Sequence, residues 1–555
     1  MKGSDILVKT LQTQHVKYIF GLPGDTSLEW YESLHNSRDS ITHVLTTDER
    51  NAAFMADAYA RVTTLPGVCE GPSGAGATYM IPGVLEANDS SIPLIAINTD
   101  IATTDRKKAV LTEIDQVRLF EPVTKWSVSV DECTSIHPMV NKGFEIATGG
   151  CPGAVHLAFP LDVLKSEAPS PPDKKGLPPH VPRERPCPSL KDLKKAVDLI
   201  IRSHMPVIIA GGGIHLSAAY SALEHFATAT ACLVGTSITG KGSMDERHPL
   251  CLGVVGGNGG NTRVNTLVMK SDLIIFAGTR CGSVVTCHQT LPPNDGKRKI
   301  ININIDPTEI ERNYAVDCKL LGDARTVFEN LTHLLGMREH GEGTRLQTTI
   351  HQWKEQEFTA LQESPGVIHP LDIVRACRRI LPENTFFTVD AGTPTPYFAA
   401  FYPLKAGRTF VIPRAHGGLG YAIPAVVGVH KGTSSSSIVA LAGDGSMLMS
   451  MAELSTIVRE QIPAIIILFH NNEYSWIKTS LKYLKEGRYL SVDFPDIPYC
   501  AIAEAMGFSS YAVESRGEFE ESLMNAVSGK APTFIDARTT SLHAITDGSL
   551  PWTIT

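Results

Sequence analysis

The chain has 555 residues, of which 43% are hydrophobic and 19% charged, and a formal net charge of −8 at pH 7. That length exceeds a single core and, with an ordinary soluble composition, predicts three or four units of about 150 residues each. A net acidic chain with scattered Lys and Arg gives no electrostatic reason to expect nucleic acid or an anionic membrane as partner.

The opening Met1-Lys2-Gly3-Ser4-Asp5 lacks the apolar segment of a secretory signal. No apolar run approaches the roughly 20 residues that span a bilayer. The 11 cysteines are odd in number and contain no C-x-x-C pair. They read as free thiols in a reduced compartment, so a cytoplasmic location is expected.

Short apolar runs ending in Gly, Asn or Asp alternate with helical patterns from end to end. This predicts an α/β protein of three doubly wound parallel-sheet domains. In the first domain, residues 1–165, strands are expected at 16–20, 41–45, 92–98 and 154–159. The proline-dense stretch 166–188 reads as a linker. The second domain, 189–336, has strands expected at 206–210, 273–277 and 301–305, the first running into Gly211-Gly212-Gly213. A polar second linker, 337–368, leads to the third domain, 369–545, with strands at 386–389, 438–442, 464–469 and 533–535.

The most informative segment lies in the third domain. One strand ends at Gly443-Asp444-Gly445-Ser446, and the next ends at His470-Asn471-Asn472, with a helical pattern between them. Two parallel strands joined by one helix are neighbours, so Asp444 and Asn472 should meet at the carboxyl edge of the sheet, where ligands bind. A carboxylate, an amide oxygen and a backbone carbonyl fill half of an octahedral Mg²⁺ shell; two phosphate oxygens and a water complete it. Glycines beside Asp444 let backbone N–H groups approach a diphosphate at a helix start. Gly-Asp-Gly alone is an ordinary tight turn; its pairing with Asn-Asn at this spacing makes it specific.

This pattern resembles the thiamine diphosphate-binding motif of the pyruvate decarboxylase and acetolactate synthase superfamily. That family places its metal ligands at positions matching Asp444, Asn472 and the carbonyl of Tyr474. The segment from Thr47 to Arg61 is similar to the family's glutamate segment. A lone Glu at a strand-to-helix junction is ordinarily a helix-start carboxylate. The resemblance makes Glu49 the group that bonds the cofactor's aminopyrimidine, so that its 4′-nitrogen removes the C2 proton of the thiazolium. Gly417-Gly418-Leu419-Gly420 matches the segment whose large apolar residue, here Leu419, bends the cofactor. Asp390-Ala391-Gly392-Thr393-Pro394 resembles the loop that holds the diphosphate from the other side, through Gly392, Thr393 and Pro394. The resemblance implies pyrimidine-binding, middle and diphosphate-binding domains. It also implies a homodimer at minimum, usually a homotetramer, because the family builds each site between two chains.

The subfamily signals conflict. Phe20-Gly21-Leu22-Pro23-Gly24-Asp25 is similar to a pyruvate decarboxylase segment in which the aspartate carries protons. The adjacent histidine pair of those enzymes has no counterpart around 109–113, and Lys478 stands where they carry a glutamate. Gly74-Ala75-Gly76-Ala77-Thr78 and Pro122-Val123-Thr124-Lys125-Trp126 look like acetolactate synthase, as does Arg280. Thr112, however, replaces that family's pocket glutamine, and Leu481 replaces its tryptophan. His288 and His416 are further candidates for proton transfer, each with a structural alternative. For the middle domain the resemblance leaves FAD, ADP or nothing open.

The expected activity is an acetolactate synthase-like carboligase or lyase acting on 2-oxo acids or 2-hydroxyketones through an enamine. The alternative is a benzoylformate decarboxylase-like or benzaldehyde lyase-like enzyme. A nucleotide-binding oxidoreductase and a catalytically silent homologue rank below both.

Overall fold

The computed structural model describes residues 1–172, 176, 178–336, 345–350, 352–353 and 367–545. Most of the second expected linker, 337–368, lies outside the described residues. Three six-stranded parallel sheets carry the chain. No helix among the described residues is long and apolar enough to cross a membrane. The eleven cysteines are all free thiols.

The residues group into two compact units. One comprises 1–183, 413–440 and 448–464; the other comprises 184–412, 441–447 and 465–555. In the first unit the sheet runs, in space, Thr42–Leu45, Tyr18–Gly21, Gly67–Gly71, Leu94–Asp100, Ala154–Pro160, Trp126–Ser129. Numbered along the chain, this order is 2-1-3-4-6-5. The two central strands Leu94–Asp100 and Ala154–Pro160 are buried along their whole length, as strands covered on both faces must be. Leu7 and Leu11 of the helix Gly3–Thr13 and Phe144 of the helix Ile136–Thr148 fill one face.

The other face receives the helix Glu49–Thr63, which is buried from Asn51 through Arg61. Its alanines (Ala52, Ala53, Ala56, Ala58, Ala60) leave room for other elements to touch it, and three neighbours present glycine at the contact. An added Cβ at Gly67 would lie 2.0 Å from the Ala56 carbonyl oxygen, one at Gly83 2.4 Å from Ala53 Cβ, and one at Gly428 2.1 Å from the Met55 carbonyl oxygen. Gly428 belongs to the helix Ala422–Thr433, whose residues 422–429 are all buried.

In the second unit the middle sheet runs Cys318–Leu321, Lys299–Asn304, Leu273–Ala277, Pro206–Ala210, Leu233–Thr236, Cys251–Val254, an order of 6-5-4-1-2-3. The third sheet runs Phe410–Val411, Phe386–Val389, Ile438–Gly443, Ile465–His470, Thr533–Arg538, Ser509–Val513. Its order, 2-1-3-4-6-5, repeats that of the first sheet. The anticipated strands all form; 206–210, 273–277 and 386–389 keep their expected bounds, and the ends of the others are displaced by at most three residues.

Glycine within a helix ordinarily costs about 1 kcal/mol relative to alanine. At Gly428 the sign reverses, because the new methyl would meet a backbone carbonyl that cannot rotate away, and overpacking costs about 1–3 kcal/mol. Gly428→Ala is therefore expected to lower the thermal midpoint. A raised midpoint in a melting experiment would show that the helices Glu49–Thr63 and Ala422–Thr433 do not meet at this residue.

Candidate active site

In the third sheet the first and third strands in chain order, Phe386–Val389 and Ile438–Gly443, are neighbours whose connections leave in opposite directions. Such a switch point opens a crevice at the carboxyl ends of the strands. Two loops border it, Asp390 to Pro394 and Gly443 to Ser446. They are tied together: the Asp390 N–H donates to the Leu441 carbonyl (3.0 Å), and the Ser446 hydroxyl reaches the Ala391 carbonyl (3.5 Å). Gly392 has φ +128°, which disfavours any side chain. Thr393 and Pro394 are buried at the start of the helix Pro394–Phe401.

Asp444 is 1% exposed. Its Oδ2 accepts the Asn471 N–H at 2.9 Å. Its Oδ1, buried as well, accepts no hydrogen bond and lies 3.6 Å from His470 Nε2. Burial pushes its pKa up, and the Asn471 N–H only partly offsets this. A buried carboxylate oxygen left without a donor is a costly arrangement that a cation would relieve. Asn472 stands in the left-handed region at φ +58°, a conformation that Asn tolerates better than most residues. The Tyr474 carbonyl accepts one helix bond, from the Lys478 N–H at 2.9 Å, and keeps a second lone pair. Gly445 is required beside it, since a Cβ there would lie 2.3 Å from Tyr474 Cε1.

Among the described residues no cluster of three His, Cys, Asp or Glu side chains is arranged to hold a metal. One carboxylate and two neutral oxygens instead suit a hard cation that completes its shell elsewhere, such as on phosphate. His470, which sequence reasoning gave no role, is fully buried, with Nδ1 2.7 Å from Asp536 Oδ1 and Nε2 2.6 Å from Asn472 Oδ1.

The first unit has its own switch point, between Tyr18–Gly21 and Gly67–Gly71. Glu49, 6% exposed, is the first residue of its helix, and Asp48 caps that helix by accepting the Arg50 N–H. Its carboxylate lies against the first turn of the helix Ala75–Asp89: a Cβ on Gly76 would be 2.9 Å from Glu49 Oε1. Burial raises the Glu49 pKa; backbone hydrogen bonding opposes this, and the charges of Asp48 and Glu70 add to the rise.

Leu419 is half-buried in its glycine loop, and His416 beside it is exposed. Asp25 is exposed at the start of the turn Asp25–Ser27. Thr112 is exposed with φ +68°, and its hydroxyl lies 2.7 Å from that of Ser73. Ser73 leads inward through its N–H to the Thr26 hydroxyl (3.2 Å), which lies 2.9 Å from the Thr99 hydroxyl. His288 is exposed on the middle sheet's side, φ +54°, its N–H donating to the Ser283 carbonyl. No hydrogen bond among the described residues joins it to the Asp444 group. In the middle domain the Gly211 and Gly213 N–H groups donate to the Ala277 and Gly278 carbonyls at 2.9 and 3.0 Å. Two of the amides that a dinucleotide's pyrophosphate would use are thereby committed.

Sequence reasoning passed over two buried carboxylates of the first unit, Glu86 and Glu453, both 0% exposed. It also passed over Glu70, which accepts the Tyr31 hydroxyl (2.5 Å) and lies 3.1 Å from His43 Nε2. The only signal for each was a charge inside an apolar pattern.

Comparison with known proteins agrees with this geometry. The family description "Thiamine pyrophosphate enzyme, N-terminal TPP binding domain" matches residues 1–119. The central domain of the same family matches 193–331, and its C-terminal TPP binding domain matches 390–537. A probable acetolactate synthase large subunit of Methanococcus aeolicus is 32% identical over 559 residues, covering 97% of this chain and 92% of the relative. A second, from Methanocaldococcus jannaschii, is 32% identical over 97% of this chain and 91% of its own length. The acetolactate synthase isozyme 3 large subunit of Escherichia coli is 28% identical over 95% of this chain and 92% of its own.

The raised Glu49 pKa has a consequence for stability. The folded state favours the protonated carboxyl, so its contribution is fully present below the ordinary value of 4.5 and is lost as pH rises through the folded value. Glu49→Gln mimics the protonated form. In the cofactor-free protein its melting midpoint should match wild type near pH 4 and exceed it increasingly toward pH 7.5. A difference that is flat with pH would show that Glu49 is not penalised by burial.

Proposed function

We propose, from the premise that this chain belongs to the thiamine pyrophosphate enzyme family, that it is an acetolactate synthase-like carboligase requiring thiamine diphosphate and Mg²⁺. The observation that carries the reading is the buried Asp444, whose Oδ1 accepts no hydrogen bond and lies 3.6 Å from His470 Nε2, at the switch point of a sheet matched by the TPP binding domain. The near-full-length similarity to acetolactate synthase large subunits supports the carboligase assignment over a plain decarboxylase.

The residues fit the cofactor. Asp444 Oδ1, the Asn472 amide oxygen and the Tyr474 carbonyl would hold Mg²⁺, with Gly443, Gly445 and Ser446 beside them. Gly392, Thr393 and Pro394 would border the diphosphate from the opposite loop. Thiamine diphosphate, when bound, supplies an acidic ring carbon that adds to a carbonyl and then stabilises the electron pair left behind. Glu49 would bond the pyrimidine ring; its burial and its carboxylate neighbours make it a readier proton holder than an exposed glutamate. Leu419 would fill the space under the ring. An apolar surround with little water favours loss of a carboxylate from a 2-oxo acid, because charge disperses in that transition state.

At the mouth, Asp25, Thr112 and His416 are exposed polar groups from which substrate contacts and proton transfer would come; His288 is a further candidate. Thr112 is shorter than glutamine, so the acceptor is set by hydroxyls of Thr112 and Ser73 and not by an amide. The exposed side chains of Ile477, Tyr483, Leu484 and Leu490 support a multimeric working state, a dimer at least.

A panel of 2-oxo acids, with and without an acceptor carbonyl, tests the assignment on protein reconstituted with thiamine diphosphate and Mg²⁺. A chiral hydroxyketone or acetohydroxy acid is the expected product; carbon dioxide with free aldehyde alone would replace the carboligase by a decarboxylase. Glu49→Gln should keep cofactor affinity while turnover falls by orders of magnitude, and undiminished turnover would remove Glu49 from the chemistry. Chelation of the divalent ion should abolish calorimetric binding of thiamine diphosphate. Asp444→Ala should do the same at any Mg²⁺ concentration.

A further inference from the structure

Thr112 stands in the left-handed region, φ +68°, where a β-branched side chain is an outlier. Strain of that kind persists where the surroundings over-determine it, and it gathers at functional sites. Two neighbours hold Thr112 in place. Its hydroxyl lies 2.7 Å from that of Ser73. Against its other side is Gly74, itself at φ +66°, where a Cβ would lie 2.7 Å from Thr112 Cβ. Gly74 directly precedes the helix Ala75–Asp89, and a Cβ on Gly76 in the first turn of that helix would be 2.9 Å from Glu49 Oε1. Thr112 and Glu49 therefore flank one turn, Gly74 to Gly76, within the first unit.

Behind Ser73 a file of hydroxyls runs into the core. Thr26 Oγ1 accepts the Ser73 N–H at 3.2 Å and donates its own hydrogen to Ser73 Oγ at 3.3 Å, and Thr99 Oγ1 lies 2.9 Å from Thr26 Oγ1. Ser73, Thr26 and Thr99 are buried, whereas Thr112 is exposed. A hydroxyl has one hydrogen to give. Thr26 gives its hydrogen to Ser73, so Thr99 is the donor in the inner pair. Among the described residues Ser73 Oγ has no acceptor other than Thr112, so its hydrogen goes there. The four groups align head to tail, pointing outward. The Thr112 hydrogen is left for a group outside the file, since among the described residues its hydroxyl makes no second hydrogen bond.

We propose that Ser73 and Thr26 are positioning residues that present the Thr112 hydroxyl as a hydrogen-bond donor to an oxygen of the 2-oxo acid, its carbonyl or its carboxylate; this rests on the function proposed above. Without Thr26 nothing donates to Ser73, and the Thr112 hydrogen can turn inward to it. Aligned hydroxyls also polarise one another, which makes the outermost a stronger donor than an isolated threonine. A site that presents a fixed donor favours substrates with an oxygen to accept it. Thr26 acts through Ser73 and Thr112, with no contact of its own to the substrate.

A packing role and a hydroxyl role rank the replacements of Thr26 in opposite orders. Valine keeps the shape of threonine without the hydroxyl, and serine keeps the hydroxyl without the methyl. Were Thr26 there to fill space, serine would be the harmful replacement, because it leaves a void. As a member of the file it tolerates serine and not valine.

The test uses full-length protein loaded with thiamine diphosphate and Mg²⁺ and reads kcat/KM over a panel of 2-oxo acids, with melting midpoints alongside. Thr112→Val should lower kcat/KM about tenfold and Thr26→Val about fivefold, the worth of one hydrogen bond. Thr112→Ser and Thr26→Ser should stay within about twofold of wild type. Thr26→Val should add nothing further in a Thr112→Val background, because its effect passes through that hydroxyl. Serine at 26 more harmful than valine overturns the proposal, as does valine at 26 without effect. Losses at 26 and 112 that simply multiply overturn it too. Should the buried Thr26 variants fail to fold, the exposed Thr112 pair decides: equal kcat/KM in Thr112→Val and Thr112→Ser overturns the proposal. Wild-type protein that turns over no 2-oxo acid overturns the proposed function and this inference together, whereas variants that keep pace with an active wild type overturn this inference alone.

Discussion

The first unit is organised around the close approach of three backbones to the helix Glu49–Thr63. A strand, a helix from the same domain and the helix Ala422–Thr433 each reach it through a glycine, at Gly67, Gly83 and Gly428. Contacts that tight exclude water along the helix, so every polar group on it needs a protein partner. Asp57 finds one in Arg61, whose Nε lies 2.6 Å from its Oδ2, and Arg61 in turn reaches Glu86. Buried ion pairs of this kind contribute little net stability and are better understood as fixing one arrangement over its alternatives. Glu49 differs. Burial raises the pKa of both carboxyls, but Arg61 pulls Asp57 back, whereas Glu49 faces only the further acids Asp48 and Glu70.

The second unit solves a related problem with the same strand order. The first and third sheets share the sequence 2-1-3-4-6-5, and each carries a buried acid near the carboxyl edge of its strands. The environments separate them. Glu49 sits against glycines in a position that favours the neutral acid. Asp444 has one oxygen tied to the Asn471 N–H, while the other accepts no hydrogen bond and lies 3.6 Å from His470 Nε2. Two similar carboxyls thus differ in what surrounds them: further acids beside Glu49, and a backbone N–H and a histidine beside Asp444.

The apolar runs announced most of the interior strands because parallel strands covered on both faces carry no polar alternation, but not Gly67–Gly71, whose run is broken by glycine and Glu70, nor the four-residue Leu233–Thr236. Trp126–Ser129 escaped notice as an edge strand that is half-buried at every residue, and Phe410–Val411 is too short to leave a pattern. The twofold use of one strand order had no trace in the residues, since order is decided by which loops cross the sheet. Asp444 and Asn472 were legible because they follow two successive strands that lie side by side in the sheet. The one helix expected between them is two, Asp444–Ser450 and Leu454–Arg459, joined by the turn Met451–Glu453. Glu453 and Thr47 are 406 positions apart. Glu453 shows locally only as a charge inside an apolar pattern; its bonds to Thr47 exist only once the segment 448–464 lies against the Glu49 turn.

Glycine-rich loops show the same limit from the opposite direction. Gly211-Gly212-Gly213 follows a strand at a switch point just as Gly443-Asp444-Gly445 does, and on sequence grounds both invite a phosphate. What separates them is the state of their polar groups. In the middle sheet the Gly211 and Gly213 N–H groups already bond the ends of the neighbouring strand, so those glycines serve close contact between two loops. In the third sheet the Asp444 Oδ1 is buried and accepts no hydrogen bond, with His470 Nε2 3.6 Å away. A buried donor or acceptor that the fold leaves unsatisfied is costly to maintain, and a protein that keeps one gains by having a ligand to satisfy it. The two glycine loops therefore look alike in sequence and differ in what their polar groups already bond: neighbouring carbonyls at Gly211 and Gly213, and at Asp444 one backbone N–H with His470 beside its other oxygen.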